Sequence, residues 1–341
     1  MVINTKATDM LRVIRMFQIN KRGVGDTELL MAPLFHVGAA ASLFYALILG
    51  VTVILHRNFN PHAVVDALEK YKLKALFMVP AMIQAIINTV ADLDRRDFSS
   101  LKRINYGAAP IGEGLLKQAL DIFGCDFQQS YGMTETGGSV SQATGEALVS
   151  RPQASGQVLP MNRVRIVDED GKDLPAGKTG DIWVTGATLM TGYYGRQEDT
   201  KAAFEGEWLK TGDVGYLDED DYIYIVDRKT DMVISGGENI YCVEVEAALN
   251  KHPNVLQVCT FGIPDDRLGE KLIACFVPKN DGLSSEELLA FGKANLPGYR
   301  VPKEFVCIKE PFELNAMSKI EKRKVRAGYL AGEYTDADGK A

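Results

Sequence analysis

Residues 51–80 read VTVILHRNFNPHAVVDALEKYKLKALFMVP. VTVIL (51–55) is apolar and rich in β-branched side chains, as a buried strand is. PHAVVDALEKY (61–71) reads as a helix, and KALFMVP (74–80) as a second strand. Strand, helix, strand with short connections is the repeating unit of a parallel sheet. The alternation extends in both directions. ELLMAP (28–33) is a strand and AAASLFYALIL (39–49) a helix. After residue 80 come helix AMIQAIINTVADL, strand RINYGAAP, helix GEGLLKQALDIF and strand DFQQSYG. The expected class is α/β, a doubly wound and mainly parallel sheet over residues 1–149. Ligands of such sheets sit beyond the carboxyl ends of the strands, which points to YGAAP (106–110) and SYGMTET (130–136).

The texture then changes. RVRIVDEDGKDLPAGKTGDIWVTG (163–186) reads strand, turn, turn, strand, and GDVGYLDEDDYIYIVDR (212–228) reads as a hairpin. Residues 150–227 are expected to form a small antiparallel, barrel-like subdomain. Beyond it, VEVEAALNKHP, VLQVCTFGI, KLIACFVP, SSEELLAFGKANL and EFVCI alternate as helix, two strands, helix and strand. They predict a compact α+β domain over 228–332, joined by a hinge near 227–231 and followed by a tail, 333–341.

The chain of 341 residues is 46% hydrophobic and 24% charged, which suits a globular protein of more than one domain. A net charge of −7 argues against general nucleic-acid affinity. Cys125, Cys242, Cys259, Cys275 and Cys307 are scattered without metal spacing. They read as reduced thiols of a cytoplasmic protein. The uncharged run 37–55 is long enough for a membrane span, but Gly50 divides it into a helix and a β-branched strand, and the membrane reading is set aside. Met10, Ile14 and Phe17 in DMLRVIRMF stand at helical spacing and suggest a packed helix.

SYGMTETGGS (130–139) combines hydroxyls, a carboxylate and three glycines. Such a stretch suits either a turn or a site for phosphate and a metal ion. The choice turns on its companions. In chain order these are PLFHVGA, YGAAP, SYGMTETGG, TGD (211–213), VDRKTDMVISGGENIYCVEVE and NAMSKIEKRKVR. Together they resemble the adenylate-forming enzymes: acyl-CoA synthetases, peptide-synthetase adenylation domains and luciferases. SGGENIYCVEVE resembles the acyl-CoA synthetase branch most.

The resemblance implies an AMP-forming acid–CoA ligase acting on a fatty or other apolar acid. Acid and ATP would give acyl-AMP and pyrophosphate; CoA would then give acyl-CoA and AMP. It implies ATP, Mg²⁺ and CoA, and a C-terminal domain that rotates between the two steps. Two alternatives stand beside it: an enzyme that loads a carrier protein, and a non-catalytic fragment that binds a nucleotide or a partner chain.

Residue by residue, the resemblance implies that Tyr131, with Gly132, lies against adenine, opposite a wall of Gly107, Ala108 and Ala109. Thr134 would bond the α-phosphate and Glu135 would bind Mg²⁺. Asp213 would accept the ribose hydroxyls, with Ile225 and Arg228 alongside. Lys319 would be the catalytic lysine, while Lys322, Arg323, Lys324 and Arg326 fit a solvated basic face. Gly236, Gly237 and Glu238 would line the pantetheine path of CoA, and His36, Val37 and Gly38 the acyl pocket. Arg228, Lys229 and Thr230 would form the hinge.

Four departures from the family pattern are visible. The Ser/Thr/Gly-rich loop with a lysine, expected upstream of PLFHVGA, is not in the sequence. Thr230 stands where Asp or Lys is usual at the hinge, and Ser318 replaces the glycine before Lys319. Met161 replaces a turn glycine. The missing loop implies a chain without the N-terminal part of the family fold, with apolar surface exposed on its early helices. Such surface favours association, including a homo-oligomer. The expected behaviour of this chain is weak AMP binding, no preference for ATP over AMP, and no ligase turnover. Calorimetric titration of both nucleotides and an acid-dependent pyrophosphate assay check this, and robust pyrophosphate release would contradict it.

Overall fold

The computed structural model describes residues 23–107, 111–280, 282–315 and 319–334. The helix expected at 9–17 and most of the expected tail lie outside the described residues. The chain divides into two units. The first holds the residues up to Thr211 together with Gly215–Ile225; the second holds Gly212–Val214 and the residues from Val226 onward.

The first unit is built on a large sheet. β1 (Thr27–Leu30), β2 (Thr52–Leu55), β3 (Ala75–Met78), β4 (Arg103–Gly107) and β5 (Asp126–Met133) run parallel in the order β2-β1-β3-β4-β5. The helices between them are α1 (Val37–Leu49), α2 (Pro61–Lys70), α3 (Pro80–Thr89) and α4 (Glu113–Phe123). This is the alternation expected from the sequence. Beyond β5 the sheet turns antiparallel through β6 (Gly138–Thr144) and β7 (Gly156–Val158). It continues through β12 (Tyr222–Arg228), β11 (Trp208–Leu217), β9 (Gly180–Gly186) and β8 (Asn162–Val167), with β10 (Phe204–Glu205) against β11. The antiparallel strands of residues 150–227 thus extend the same sheet. Two short helices, α5 (Glu146–Ser150) and α6 (Gln197–Ala203), lie in its connections.

Local chemistry starts and stops the helices. Asn60 Oδ1 accepts the Ala63 N–H at 2.9 Å and Pro61 opens α2, which buries Val64, Val65 and Leu68. Gly124 ends α4 in the left-handed region, with φ +56°, where glycine is unstrained. His36 caps α1: its Nδ1 accepts the Gly38 N–H at 3.1 Å. α1 buries Ala39 and Ala46 but leaves Phe44, Leu47 and Ile48 at 66%, 67% and 79% exposure.

The second unit is a sheet between helices. β13 (Val233–Ser235), β14 (Glu238–Ile240), β15 (Val255–Asp265), β16 (Gly269–Pro278) and β17 (Glu304–Cys307) are ordered β14-β13-β16-β15, with β17 parallel to β16. Alternation along β15 and β16 sends side chains to two cores. Val258, Leu272, Ala274 and Phe276 pack with Val245 and Leu249 of α7 (Cys242–Leu249) and Leu288 of α8 (Ser285–Asn295). Cys259, Phe261, Ile273 and Cys275 pack with Val325 of α9 (Lys322–Leu330). Cys242, Cys259 and Cys275 are free and buried, and burial pushes the Cys242 and Cys275 thiols up to about 12. No described helix is long and apolar enough to cross a membrane.

His36→Ala removes the α1 cap and should lower stability by about 1 kcal/mol. His36→Asn, which keeps a capping acceptor, should restore most of it. Urea unfolding midpoints of the three proteins give the comparison.

Candidate functional site

In the first unit the marked residues gather at the carboxyl ends of β4 and β5. Gly107 pairs with Ser130, and a Cβ on Gly107 would stand 2.5 Å from the Ser130 carbonyl oxygen. Only glycine lets these strand ends approach. The same holds at Gly132, where the register of β5 on β6 shifts and a Cβ would run into the Gly138 carbonyl. Tyr131 is half-buried and packs with Ile225 on the cluster of Val140, Ile166, Ile182 and Ile223. Ala108 and Ala109, expected as the opposite wall, lie outside the described residues.

Residues 134–136 form one turn of 3-10 helix after β5. The turn is held by Thr136, a residue that the motif reading passed over. Its buried hydroxyl accepts the Met133 N–H at 3.0 Å. It also lies 2.9 Å from the Met133 carbonyl and 2.7 Å from the Gly138 carbonyl, either of which can accept its proton. Gly137 closes the turn at φ +66°, its N–H donating to the Thr134 carbonyl at 3.0 Å. Thr134 is left on the surface and Glu135 half-buried. Glu135 is held twice. Its Oε1 accepts the Tyr193 hydroxyl at 2.9 Å, and its carbonyl accepts the Met190 N–H at 2.8 Å. Tyr193 is in turn placed by Thr200, whose Oγ1 accepts the Tyr193 N–H at 2.9 Å. Burial and the Glu135 carboxylate push the Tyr193 phenol above its usual range, so it stays a donor. The sequence carried no periodic or spacing signal for Tyr193, because 58 residues separate it from Glu135. His36, Val37 and Gly38 form the start of α1, and His36 acts there as a helix cap.

In the second unit Asp213, Arg228 and Lys319 come together. Asp213 is buried, and Arg228 Nε stands 3.3 Å from its Oδ1. Lys319 is exposed by area, yet crowding around its ammonium, and then the charge of Arg228, push the amine below the usual lysine range; Asp213 opposes the shift. A short antiparallel pairing presents Lys319: the Asn315 N–H donates to the Lys319 carbonyl at 2.8 Å and the Lys319 N–H to Asn315 Oδ1 at 3.1 Å. Ser318 lies outside the described residues. Residues 228–232 form a turn in which the Asp231 and Met232 N–H groups donate to the Arg228 carbonyl. Lys229 and Thr230 are exposed there. Gly236 and Gly237, at φ +61° and +84°, are the two-residue turn between β13 and β14, with Ser235 opposite Glu238. The turn alone demands both glycines, and a Cβ on Gly237 would meet nothing within 4 Å.

Residues 2–194 match the model of the AMP-binding enzyme family, and residues 244–319 that of the AMP-binding enzyme C-terminal domain. The chain belongs to the AMP-binding enzyme family. Over 303 residues it is 38% identical to a feruloyl-CoA synthase of Amycolatopsis sp, covering 88% of this chain and 61% of the relative. Over 306 residues it is 34% identical to the 2-succinylbenzoate–CoA ligase of Bacillus pumilus, covering 89% and 61%. A fatty acid–[acyl-carrier-protein] ligase of Streptomyces coeruleorubidus is 34% identical over 311 residues, covering 89% and 59%. The solved o-succinylbenzoate CoA synthetase of Bacillus subtilis, in complex with its acyl-adenylate intermediate, superposes with a TM-score of 0.82 at 29% identity, covering 95% of this chain and 66% of that one. The chain therefore spans about three fifths of the length of the curated relatives it matches.

Thr136→Val deletes the hydroxyl that ties Met133 to Gly138 and leaves a half-buried backbone donor and acceptor without it. The expected loss is about 2 kcal/mol or more, read as a lower urea midpoint. Thr136→Ser should recover most of it.

Proposed function

We propose that the chain carries the nucleotide and acyl-transfer chemistry of an AMP-forming acid–CoA ligase. The overall reaction joins ATP, a carboxylic acid and CoA to give acyl-CoA, AMP and pyrophosphate through acyl-AMP. The observation that carries the reading is the group of Asp213, Arg228 and Lys319: two cations against one buried carboxylate. A carboxylate only accepts hydrogen bonds and has two oxygens, which suits the two adjacent hydroxyls of a ribose. In this reading Asp213 takes the diol and Arg228 stands beside it. Lys319 draws the acid's carboxylate and the α-phosphate together and stabilises the charge that develops between them. An anion arriving at Lys319 raises the proton affinity of its amine and so opposes the shift that crowding and Arg228 impose.

On the first unit, Tyr131 offers adenine a flat apolar face beside the strand ends that carry Gly107 and Gly132. Thr134 donates to the α-phosphate. Glu135 is the one residue assigned to Mg²⁺. Among the described residues no group of three His, Cys, Asp or Glu could hold a metal ion. Magnesium keeps water and substrate phosphates as most of its ligands and takes one or two carboxylates from protein. Bound there, the ion would neutralise phosphate charge. The protein's part is to hold the Glu135 carboxylate still, which the Tyr193 hydroxyl does.

The acid is assigned to the apolar class. His36, Val37 and Gly38 open a helix whose next residues, Ala39, Ala40 and Ala41, are small and uncharged. The carrier-protein ligase among the relatives supports a second reading, in which a carrier-bound thiol replaces CoA. The Gly236–Gly237 turn separates the two readings. Gly237→Asn keeps a residue that tolerates positive φ and adds bulk where a thiol arm would pass. It should slow transfer to CoA more than formation of acyl-AMP.

The ribose assignment has a direct test. The chain should prefer AMP to its 2′,3′-dideoxy analogue by about tenfold, the scale of one hydrogen bond to a charged group. In Asp213→Ala that preference should vanish; calorimetry reads it, and an undiminished preference would remove Asp213 from the ribose. In any form of the protein that turns over ATP, Lys319→Ala should cut acyl-AMP formation by about 10²-fold or more. It should spare thioester formation from synthetic acyl-AMP.

A further inference from the structure

Lys322 sits in the basic run 319–326, where four of the five basic residues read as a solvated face. That reading holds for Arg323, which is exposed, and for Lys324, whose partners Glu313 and Glu321 lie 2.9 and 2.8 Å away on the surface. It fails for Lys322. The side chain is 23% exposed, and Nζ stands 2.7 Å from Glu246 Oε1 on α7 and 3.4 Å from the Thr260 carbonyl. Arg326 also turns inward, its Nε donating to the Gly262 carbonyl at 2.9 Å.

Glu246 is fixed in its own right. Its Oε1 accepts the Thr260 N–H at 2.7 Å and lies 3.2 Å from Oγ1 of the same fully buried threonine. At the start of α7, Asp227 Oδ2 accepts the Val243 N–H at 3.3 Å, and Oδ1 accepts the Arg228 N–H at 2.7 Å. Asp227 is 2% exposed, and burial pushes its carboxyl up to about 6 against the pull of Lys322. Cys242 and Glu246 of α7 also face this group, and Tyr241 precedes it.

Arg228 and Lys319, the two cations assigned to the nucleotide, are therefore tethered to one helix. Arg228 is tied through the carboxylate of its neighbour Asp227. Lys319 lies three residues before Lys322, and Asn315 closes the loop on its other side. A buried ion pair is a poor way to gain stability, since desolvation of both groups offsets most of their attraction. What such a pair supplies is a defined geometry. We propose that Lys322 is a positioning residue for Lys319, its ion pair with Glu246 pinning the Lys319 segment to the α7 wall from which Asp227 holds Arg228.

This inference rests on the reading of Lys319 as the phosphate-side lysine, but its test does not need turnover. Acetic anhydride in limiting amount labels lysine amines in proportion to their free-base fraction, and mass spectrometry of the digested 341-residue chain reads each site. In the wild type Lys319 should label faster at pH 8 than the exposed Lys303, because crowding and Arg228 hold its proton affinity down. In Lys322→Met, Lys319 should lose that excess and match Lys303. The pair Glu246→Gln with Lys322→Met, which leaves neither charge buried alone, should show the same loss. Lys322→Arg should keep much of the excess.

If Lys319 retains its excess labelling in both charge-free proteins, the proposal is overturned. It is equally overturned if both proteins instead label faster at every lysine of the second unit, since the pair would then serve the fold alone. Protection of Lys319 by ATP in the wild type bears separately on its assignment to the phosphate. Loss of protection there with the labelling pattern intact would sink the catalytic reading and leave the positioning one standing.

Discussion

β5 is the strand on which the first unit depends, because it pairs parallel to β4 on one side and antiparallel to β6 on the other. The sheet changes direction at this strand, and its carboxyl end must pass two neighbouring backbones at close range. Gly107 and Gly132 make that passage possible, and any side chain at either position would force the strands apart. The same closeness strips the strand ends of side chains and leaves a shelf of backbone edged by Tyr131. Thr136 then folds the chain back on itself within one turn, which turns Thr134 outward and delivers Glu135 to Tyr193.

The second unit solves a different problem. Its sheet is covered on both faces by apolar side chains. Three charged groups meet beside α7: Asp227 at its first turn, and Lys322 on Glu246. Burying charge costs free energy, and a core without it would hold together as well. The return is directional: each carboxylate takes two donors, so neighbouring segments can sit in few arrangements. Arg228 and Lys319 are long, flexible side chains with much rotamer freedom to lose. Fixing their backbones leaves both side chains fewer arrangements to sample.

Much of this was legible from the sequence. The strand–helix alternation of residues 28–132 marked β1 to β5 and their helices along the chain, though not their order in the sheet, because a parallel sheet buries whole strands and writes them as continuous apolar runs. β6 was not legible: GSVSQAT has no apolar run, and its first two residues belong to the hydroxyl-rich motif. Asp213, Arg228 and Lys319 were marked by motif register and do stand together. Tyr193, Thr136 and Lys322 were missed for a common reason. Each acts through a hydrogen bond or ion pair to a partner fixed by tertiary structure, and nothing in local composition separates a bonded hydroxyl or ammonium from a solvated one. Gly236 and Gly237 show the converse: a turn of positive φ explains both residues, so their presence alone did not favour a ligand.

The buried thiols have a practical consequence. Cys242, Cys259 and Cys275 combine near-zero exposure with thiols pushed well above neutral pH by burial, and Cys125 is likewise pushed up to about 12. Alkylating reagents attack the thiolate, so at pH 7 these four sulfurs are close to silent. A cysteine engineered onto the exposed stretch at Lys229 or Thr230 would be read against a dark background, its native rival being the half-buried Cys307. An exposed turn of the second unit can thus carry a spectroscopic label in a chain that keeps most of its own cysteines.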